Sequence, residues 1–208
     1  MKKKMMALVL CVALVAVAAV GATMAYFTDT QEVNNTFTVG NVRITLDETT
    51  VNELGEKTSD VRTTKGNAYK LIPGHTYVKD PTVTVVKGSE ECYVRALITI
   101  NNKAALDEIF APNGVDLSTV LTGASADWTY EGYEVVGDAR VYTLWYKATV
   151  KAVDSDVKLP ALFKNLVIPQ EMTNKDLASL KNFEIKVEAN AIQADGFKDA
   201  ADAWEHFQ

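Results

Sequence analysis

Cysteine, histidine and proline are scarce in this chain: two, two and five among 208 residues. Two cysteines, Cys11 and Cys92, cannot make a disulfide scaffold or a four-cysteine zinc site. The two histidines, His75 and His206, belong to no H-E-x-x-H, so imidazoles one helical turn apart cannot be assembled for zinc. A zinc site from His75, His206 and a distant carboxylate is conceivable, but no spacing points to it. No G-x-S-x-G, P-loop or dinucleotide fingerprint is present. Serine and threonine are abundant, yet without a placed base each defaults to a solvated hydroxyl. Basic residues are outnumbered by acidic ones, 21 to 27, which argues against a general nucleic-acid binder. No catalytic residue and no metal ligand is therefore assigned, and no cofactor is expected.

What the sequence does have is a pronounced asymmetry at its start. Lys2, Lys3 and Lys4 precede sixteen consecutive apolar residues from Met5 to Val20, and Gly21-Ala22-Thr23-Met24-Ala25 follows. A cationic stretch, an apolar core and small residues are the parts of a secretory signal peptide, read here as residues 1–25. Thr23 and Ala25 occupy the two small subsites, and cleavage is expected before Tyr26. The uncharged stretch from Met5 to Thr28 is also long enough for an uncleaved membrane anchor, which is the alternative. Cys11 follows bulky Leu10 inside the apolar run and reads as signal filler, not as a lipid attachment site. Cleavage would leave 18 basic and 27 acidic side chains, a formal charge of −9, and one cysteine, Cys92. An exported chain without a cysteine pair must hold its fold by packing alone, which about 180 residues can do.

The remainder reads as β-structure. Val42, Ile44 and Leu46 alternate with Arg43 and Thr45, the period-two pattern of a half-buried strand. Residues 48–68 are polar and threonine-rich and suggest an exposed hairpin or loop. Pro73-Gly74 signals a turn, Thr82–Val86 is a β-branched strand, and Lys87-Gly88-Ser89 turns again. From Cys92 to Ile100, Cys92, Val94, Ala96, Ile98 and Ile100 share one face. Cys92 is therefore expected inside, as an inert small hydrophobe beside Glu90 and Glu91. Trp128, Tyr130 and Tyr133 suggest a strand closed by Gly137-Asp138. Val141–Lys151 reads as one long strand, Lys158–Pro169 as an apolar connection, and Phe183–Gln193 as strict alternation.

Helical spacing is confined to short stretches. Ala104–Phe110 reads as a helical turn ended by Pro112-Asn113-Gly114, and Asn174–Leu180 as a short helix. Asp195 can N-cap a last helix whose stripe is Phe197, Ala200, Ala201, Trp204 and Phe207, expected to dock on its own sheet. Short strands without a βαβ rhythm imply a mainly β fold, an antiparallel β-sandwich of jelly-roll or Greek-key type. The carboxylate pairs Asp29 with Glu32, Asp47 with Glu48, and Glu90 with Glu91 lack a calcium-loop pattern. They read as solvated surface, leaving weak divalent-cation binding open.

One resemblance organises these features. Ala25-Tyr26-Phe27-Thr28-Asp29, followed by Asn35-Thr36-Phe37-Thr38-Val39-Gly40-Asn41-Val42, resembles the junction of the TasA/camelysin family, exported proteins processed by the signal peptidase SipW. Pro73-Gly74, Lys79, Val83, Gly88 and Tyr93-Val94-Arg95 are similar to a second stretch of that family. Ala191–Phe197 with Ala203-Trp204 is similar to its C-terminal signature. The resemblance implies a secreted jelly-roll subunit of a Gram-positive biofilm-matrix fibre. Its freed N-terminal strand would add to the next subunit's sheet, a head-to-tail contact that does not close.

The chain then divides into a signal peptide (1–25), a candidate donor arm (26–39) and a single jelly-roll-like domain (40–208). The donor's apolar anchors would be Phe27, Val33, Phe37 and Val39. Expected partners are further copies of the chain, a SipW-type signal peptidase and other matrix or cell-surface components, with no nucleic acid. The name camelysin also carries a metallo-endopeptidase claim, for which the sequence offers no zinc-protease motif. A camelysin-like peptidase and a membrane-anchored surface binding module are the alternatives to a fibre subunit.

Overall fold

The computed structural model describes residues 41–110, 120–180 and 182–207. The strands fall within one unit, Gly40–Gln208. The signal segment, the cleavage residues Thr23, Ala25 and Tyr26, the anchors Phe27, Val33, Phe37 and Val39, the pair Asp29 and Glu32, and the turn Pro112-Asn113-Gly114 lie outside the described residues.

The first strand, β1 (Ile44–Val51), runs five residues past the apolar alternation and forms a hairpin with β2 (Lys57–Thr63). Gly55 closes that hairpin region at φ +75, with its α-carbon face so close to Tyr77 that a Cβ would lie 2.6 Å from the Tyr77 backbone. Next come β3 (Thr76–Val78), β4 (Thr82–Val85) and the twelve-residue β5 (Ser89–Ile100). The first helix, α1 (Lys103–Phe110), leads towards β6 (Leu121–Thr122), followed by β7 (Trp128–Val136) and β8 (Ala139–Tyr146). Three short strands, β9 (Val150–Ala152), β10 (Val157–Lys158) and β11 (Asn165–Val167), precede α2 (Asn174–Ser179). The chain ends with β12 (Ile185–Gln193) and α3 (Ala200–Glu205).

Every described strand pair is antiparallel. The orders are β10-β4-β1-β2, β3-β11-β6 and β12-β5-β8-β7, with β9 also on β5. The expected mainly β, antiparallel fold with short helices is what the chain adopts; these orders alone do not define a jelly roll. Side chains from all three sheets meet in one core, including Val83, Val85, Ile98, Tyr142, Leu162 and Leu166. Cys92, Val94, Ala96, Ile98 and Ile100 are buried together on one face of β5, as their alternation requires.

Three local expectations change. The stretch Val141–Lys151 is two strands, because Trp145 pairs with Arg95 and Val150 with Cys92. Five steps on one side then face three on the other, and Lys147 leaves the ladder to donate to the Asp127 carbonyl at 3.0 Å. The apolar connection 158–169 contains β11, the middle strand of the three-stranded sheet. The cap of α3 is Asp199, whose side chain accepts from the Asp202 amide at 3.0 Å, and not Asp195. Gly196 at φ +95 puts a turn between Asp195 and the helix, so the earlier aspartate is too far upstream to cap it.

The C-terminal helix does dock on its own sheet. Ala203 and Trp204 are buried, and the Arg95 guanidinium of β5 lies 4.6 Å from the ring centroids of both Trp204 and Phe207. Burial lowers the Arg95 pKa, and the negative faces of the two rings attract the guanidinium held against them.

Candidate functional site

A groove of about 630 Å³ lies where β1 and the chain after β2 come near β12. Its apolar lining includes Leu46, Leu71, Leu166, Leu180, Phe183 and Ile185. Its polar side is a buried ion pair, Lys79 with Glu48, at 2.8 Å. Glu48 is 6% exposed and Lys79 7%. Asn67 completes the arrangement: its amide donates to the second Glu48 oxygen at 2.9 Å and to the Thr49 carbonyl at 2.9 Å. The Asn67 side-chain oxygen accepts from the Val51 amide at 3.0 Å, which sets the amide orientation. Tyr69 donates to the Val78 carbonyl at 3.1 Å, and burial, with the Glu48 charge adding to it, pushes its hydroxyl well above the usual range.

Beside the groove a second charged cluster ties three strands together. Arg62 of β2 pairs with Asp47 of β1 at 2.5 Å and with Asp80, just before β4, at 2.8 Å. It also donates to the Asp80 carbonyl at 2.9 Å and to the Thr82 hydroxyl at 2.9 Å. Asp80 accepts from the Thr49 amide at 2.7 Å and the Thr49 hydroxyl at 2.9 Å. Burial alone would raise the Asp80 pKa, but the Arg62 and Thr49 donors outweigh it and hold the carboxyl below its ordinary value. Arg62 is raised for the reciprocal reason: Asp80 and Asp47 overcome the desolvation that would lower it. Such a cluster fixes strand register; no group in it is left free to act as an acid or a nucleophile.

These contacts correct the reading of Asp47 and Glu48 as solvated surface. Neighbours in an extended strand point to opposite faces, so once β1 reaches Val51 one of the two must turn inward. That adjacency was the available signal. Lys79 and Arg62, by contrast, are 31 and 15 residues from their partners and carried no mark in the sequence. The other pair behaves as expected of a surface: Glu90 and Glu91 are exposed, and Glu91 accepts from the Thr149 hydroxyl.

The histidines are engaged separately. His75 contacts the Leu54 carbonyl through Nε2 at 2.7 Å and its ring meets Tyr77 edge-on at 4.6 Å. His206 contacts the Asp202 carbonyl through Nδ1 at 2.8 Å and packs against Phe197 at 5.6 Å. Among the described residues no three His, Cys, Asp or Glu side chains come together to hold a metal ion. Cys92 is fully buried, with its sulfur 3.5 Å from the Val150 carbonyl. Burial, with Glu91 adding to it, pushes its thiol up to about 11, so at neutral pH it is not a nucleophile.

Among the described residues no helix is long and apolar enough to cross a membrane. No curated protein matches the chain. No solved structure matches it either. One family model does, described as camelysin metallo-endopeptidase, and it covers residues 1–62. Its span contains Asp47, Glu48 and Arg62 and leaves out both histidines. Over that N-terminal stretch the chain is similar to the TasA/camelysin family, as its junction residues indicate.

Proposed function

We propose that this protein is an exported, TasA/camelysin-type surface protein that serves as the subunit of an extracellular biofilm-matrix fibre. A SipW-type signal peptidase removes residues 1–25, Tyr26 becomes the new N-terminus, and Tyr26–Val39 then adds as a strand to the next copy. The observation that carries this reading is the family match itself, because residues 1–62 take in the expected signal segment, the expected arm and all but the last residue of the first hairpin. An all-antiparallel fold with strand edges left unpaired by any described strand supports it, since such edges accept an added strand. Other matrix or cell-surface components complete the partner set, and no cofactor takes part; weak divalent-cation binding at surface carboxylates is left open.

The experiment is to isolate the secreted protein, read its N-terminal residue by mass spectrometry, and follow its sedimentation and filament formation by electron microscopy. Tyr26 at the N-terminus, or a start within a residue or two, together with filaments lost on deletion of residues 26–35, is the expected result. An intact Met1–Gln208 species with a monomeric ectodomain would instead favour an anchored binding module. The metallo-endopeptidase reading draws its support from the family description. Peptide hydrolysis abolished by a chelator would establish it in place of the fibre.

A further inference from the structure

The unpaired strand edges differ in quality, and one of them is built to receive an extended chain. Along β12 the register with β5 runs without a break from Ile185 opposite Ile100 to Gln193 opposite Cys92. At its two ends the Asn101 amide donates to the Glu184 carbonyl at 3.4 Å and the Ala194 amide to the Glu91 carbonyl at 2.8 Å. In an antiparallel ladder bonded pairs recur every second residue, so the even-numbered residues of β12 bond to β5. Ile185, Val187, Ala189, Ala191 and Gln193 therefore turn their N–H and C=O groups outward. No hydrogen bond from a described residue meets those groups. The side chains of Ile185, Val187, Ala189 and Ala191 pack against the core but stay only half-buried, as if one strand were missing beside them.

The other edges are poorer: β3, β6, β9 and β10 have only two or three residues each. β7 carries a bulge between Tyr130 and Gly132, and β1–β2 shifts register between Thr49 and Val51. Bulges of this kind blunt an edge against further pairing. The groove described above also adjoins Ile185 and Val187, so apolar space lies beside the β12 edge.

We infer that the outward edge of β12, with the adjoining groove, is the acceptor for Tyr26–Val39 of a second copy of this chain. This rests on the fibre reading and adds the receiving site. The four anchors Phe27, Val33, Phe37 and Val39 are all odd-numbered and share one face of an extended strand. Asp29, Gln31 and Asn35 also fall on that face, so its apolar part is concentrated in residues 33–39. The opposite face is Tyr26, Thr28, Thr30, Glu32, Asn34, Thr36 and Thr38, and its one charge is Glu32. With fourteen residues it has length to span the nine of β12. Paired on β12, the face that carries the four anchors falls on the side of Ile185 and Val187, and the opposite face on the side of Glu184, Lys186 and Glu188. Glu32 opposite Lys186 is then favoured over Glu32 opposite either flanking glutamate, which selects the register. Lys186 is exposed, and its one ion pair among the described residues is with Glu188 at 3.0 Å on its own strand.

The test uses mature protein starting at Tyr26. Ala189→Pro removes an outward N–H without touching the β5 ladder, a place where an edge strand tolerates proline. This variant should stay folded by circular dichroism and remain monomeric. Deletion of residues 26–35 should also give a monomer, one with an intact acceptor and no donor. Mixed together, the two should form a one-to-one dimer and nothing larger. Lys186→Glu should slow filament growth about threefold, and Glu32→Lys should restore it. Normal polymerisation of Ala189→Pro, alongside loss in the deletion, would overturn β12 as the acceptor and leave the fibre reading standing. So would monomers throughout the mixture, the result if each arm folds onto its own β12. Normal polymerisation of the deletion would overturn the fibre reading itself. Should Ala189→Pro fail to fold, an unaltered growth rate in Lys186→Glu would overturn the acceptor assignment.

Discussion

Two sheets of this protein are held together by different physics. In β10-β4-β1-β2 the strands are short and rich in threonine, and two charged clusters fasten them: Glu48 with Lys79, and Arg62 with Asp47 and Asp80. In β12-β5-β8-β7 the centre is long and apolar, and Val94, Ala96, Ile98 and Ile100 of β5 are at most 1% exposed. The first sheet is specified by geometry, because a bidentate guanidinium or a buried ammonium accepts few alternatives. The second is specified by burial, which is less selective about partners but larger in sum. The comparison teaches where each sheet should break.

The largest effect is expected at the buried pair. Lys79→Met strands the Glu48 carboxylate in the interior, and should cost about 3–5 kcal/mol by urea denaturation. Adding Glu48→Leu should recover most of that loss, since the uncompensated charge is then gone. Equal losses in the single and double variants would show that packing, not charge, holds this sheet.

Next comes the apolar sheet, probed at its centre and its edge. Ile98→Ala should cost about 2–5 kcal/mol through the cavity it leaves. Val187→Ala on β12, where the side chain is half-buried, should cost well under half as much. Equal costs would mean that the β12 edge is already covered in solution, and the assembly state should then be measured in the same sample.

A smaller effect is expected at Cys92. Its alkylation should be slow in native protein and fast in denaturant, and Cys92→Ser should cost about 1–3 kcal/mol because a hydroxyl replaces a buried thiol. Fast native labelling would show that the end of β5 opens readily.

The smallest effect separates the sheets by pH. Asp80 is held below its ordinary carboxyl value, so the unfolded chain binds its proton at a higher pH than the folded one. Its stabilisation is fully present above the unfolded pKa, near 4, and is lost as pH falls through the folded value. Asp80→Asn should therefore destabilise the protein at neutral pH and flatten the acid limb of its stability profile. Ile98→Ala should lower the profile at every pH without changing its shape.

The strands β5 and β12 were legible in the sequence because alternation over nine or more residues has one reading. The Pro73-Gly74 turn and the helices α1 and α2 were legible because their punctuation is local, whereas residues 48–68 read only as an exposed hairpin or loop. The division of Val141–Lys151 was not, since it depends on β5 offering three steps against five. The Asp199 cap was obscured by Asp195, which is an equally good cap until Gly196 turns the chain. Glu48 looked like surface because its partner, Lys79, is 31 residues away.

By itself the sequence determined which face of each long strand turns inward, where the chain turns, and that its start resembles an exported family's junction. Those follow from side-chain period, backbone preference and short contiguous motifs, all set within a few residues. Only the tertiary structure decided which charges are buried as pairs, where β8 gives way to β9, and that β12 has a neighbour on one side only among the described strands. Those depend on which distant segments lie side by side, and an edge exists only once every other strand has taken its place.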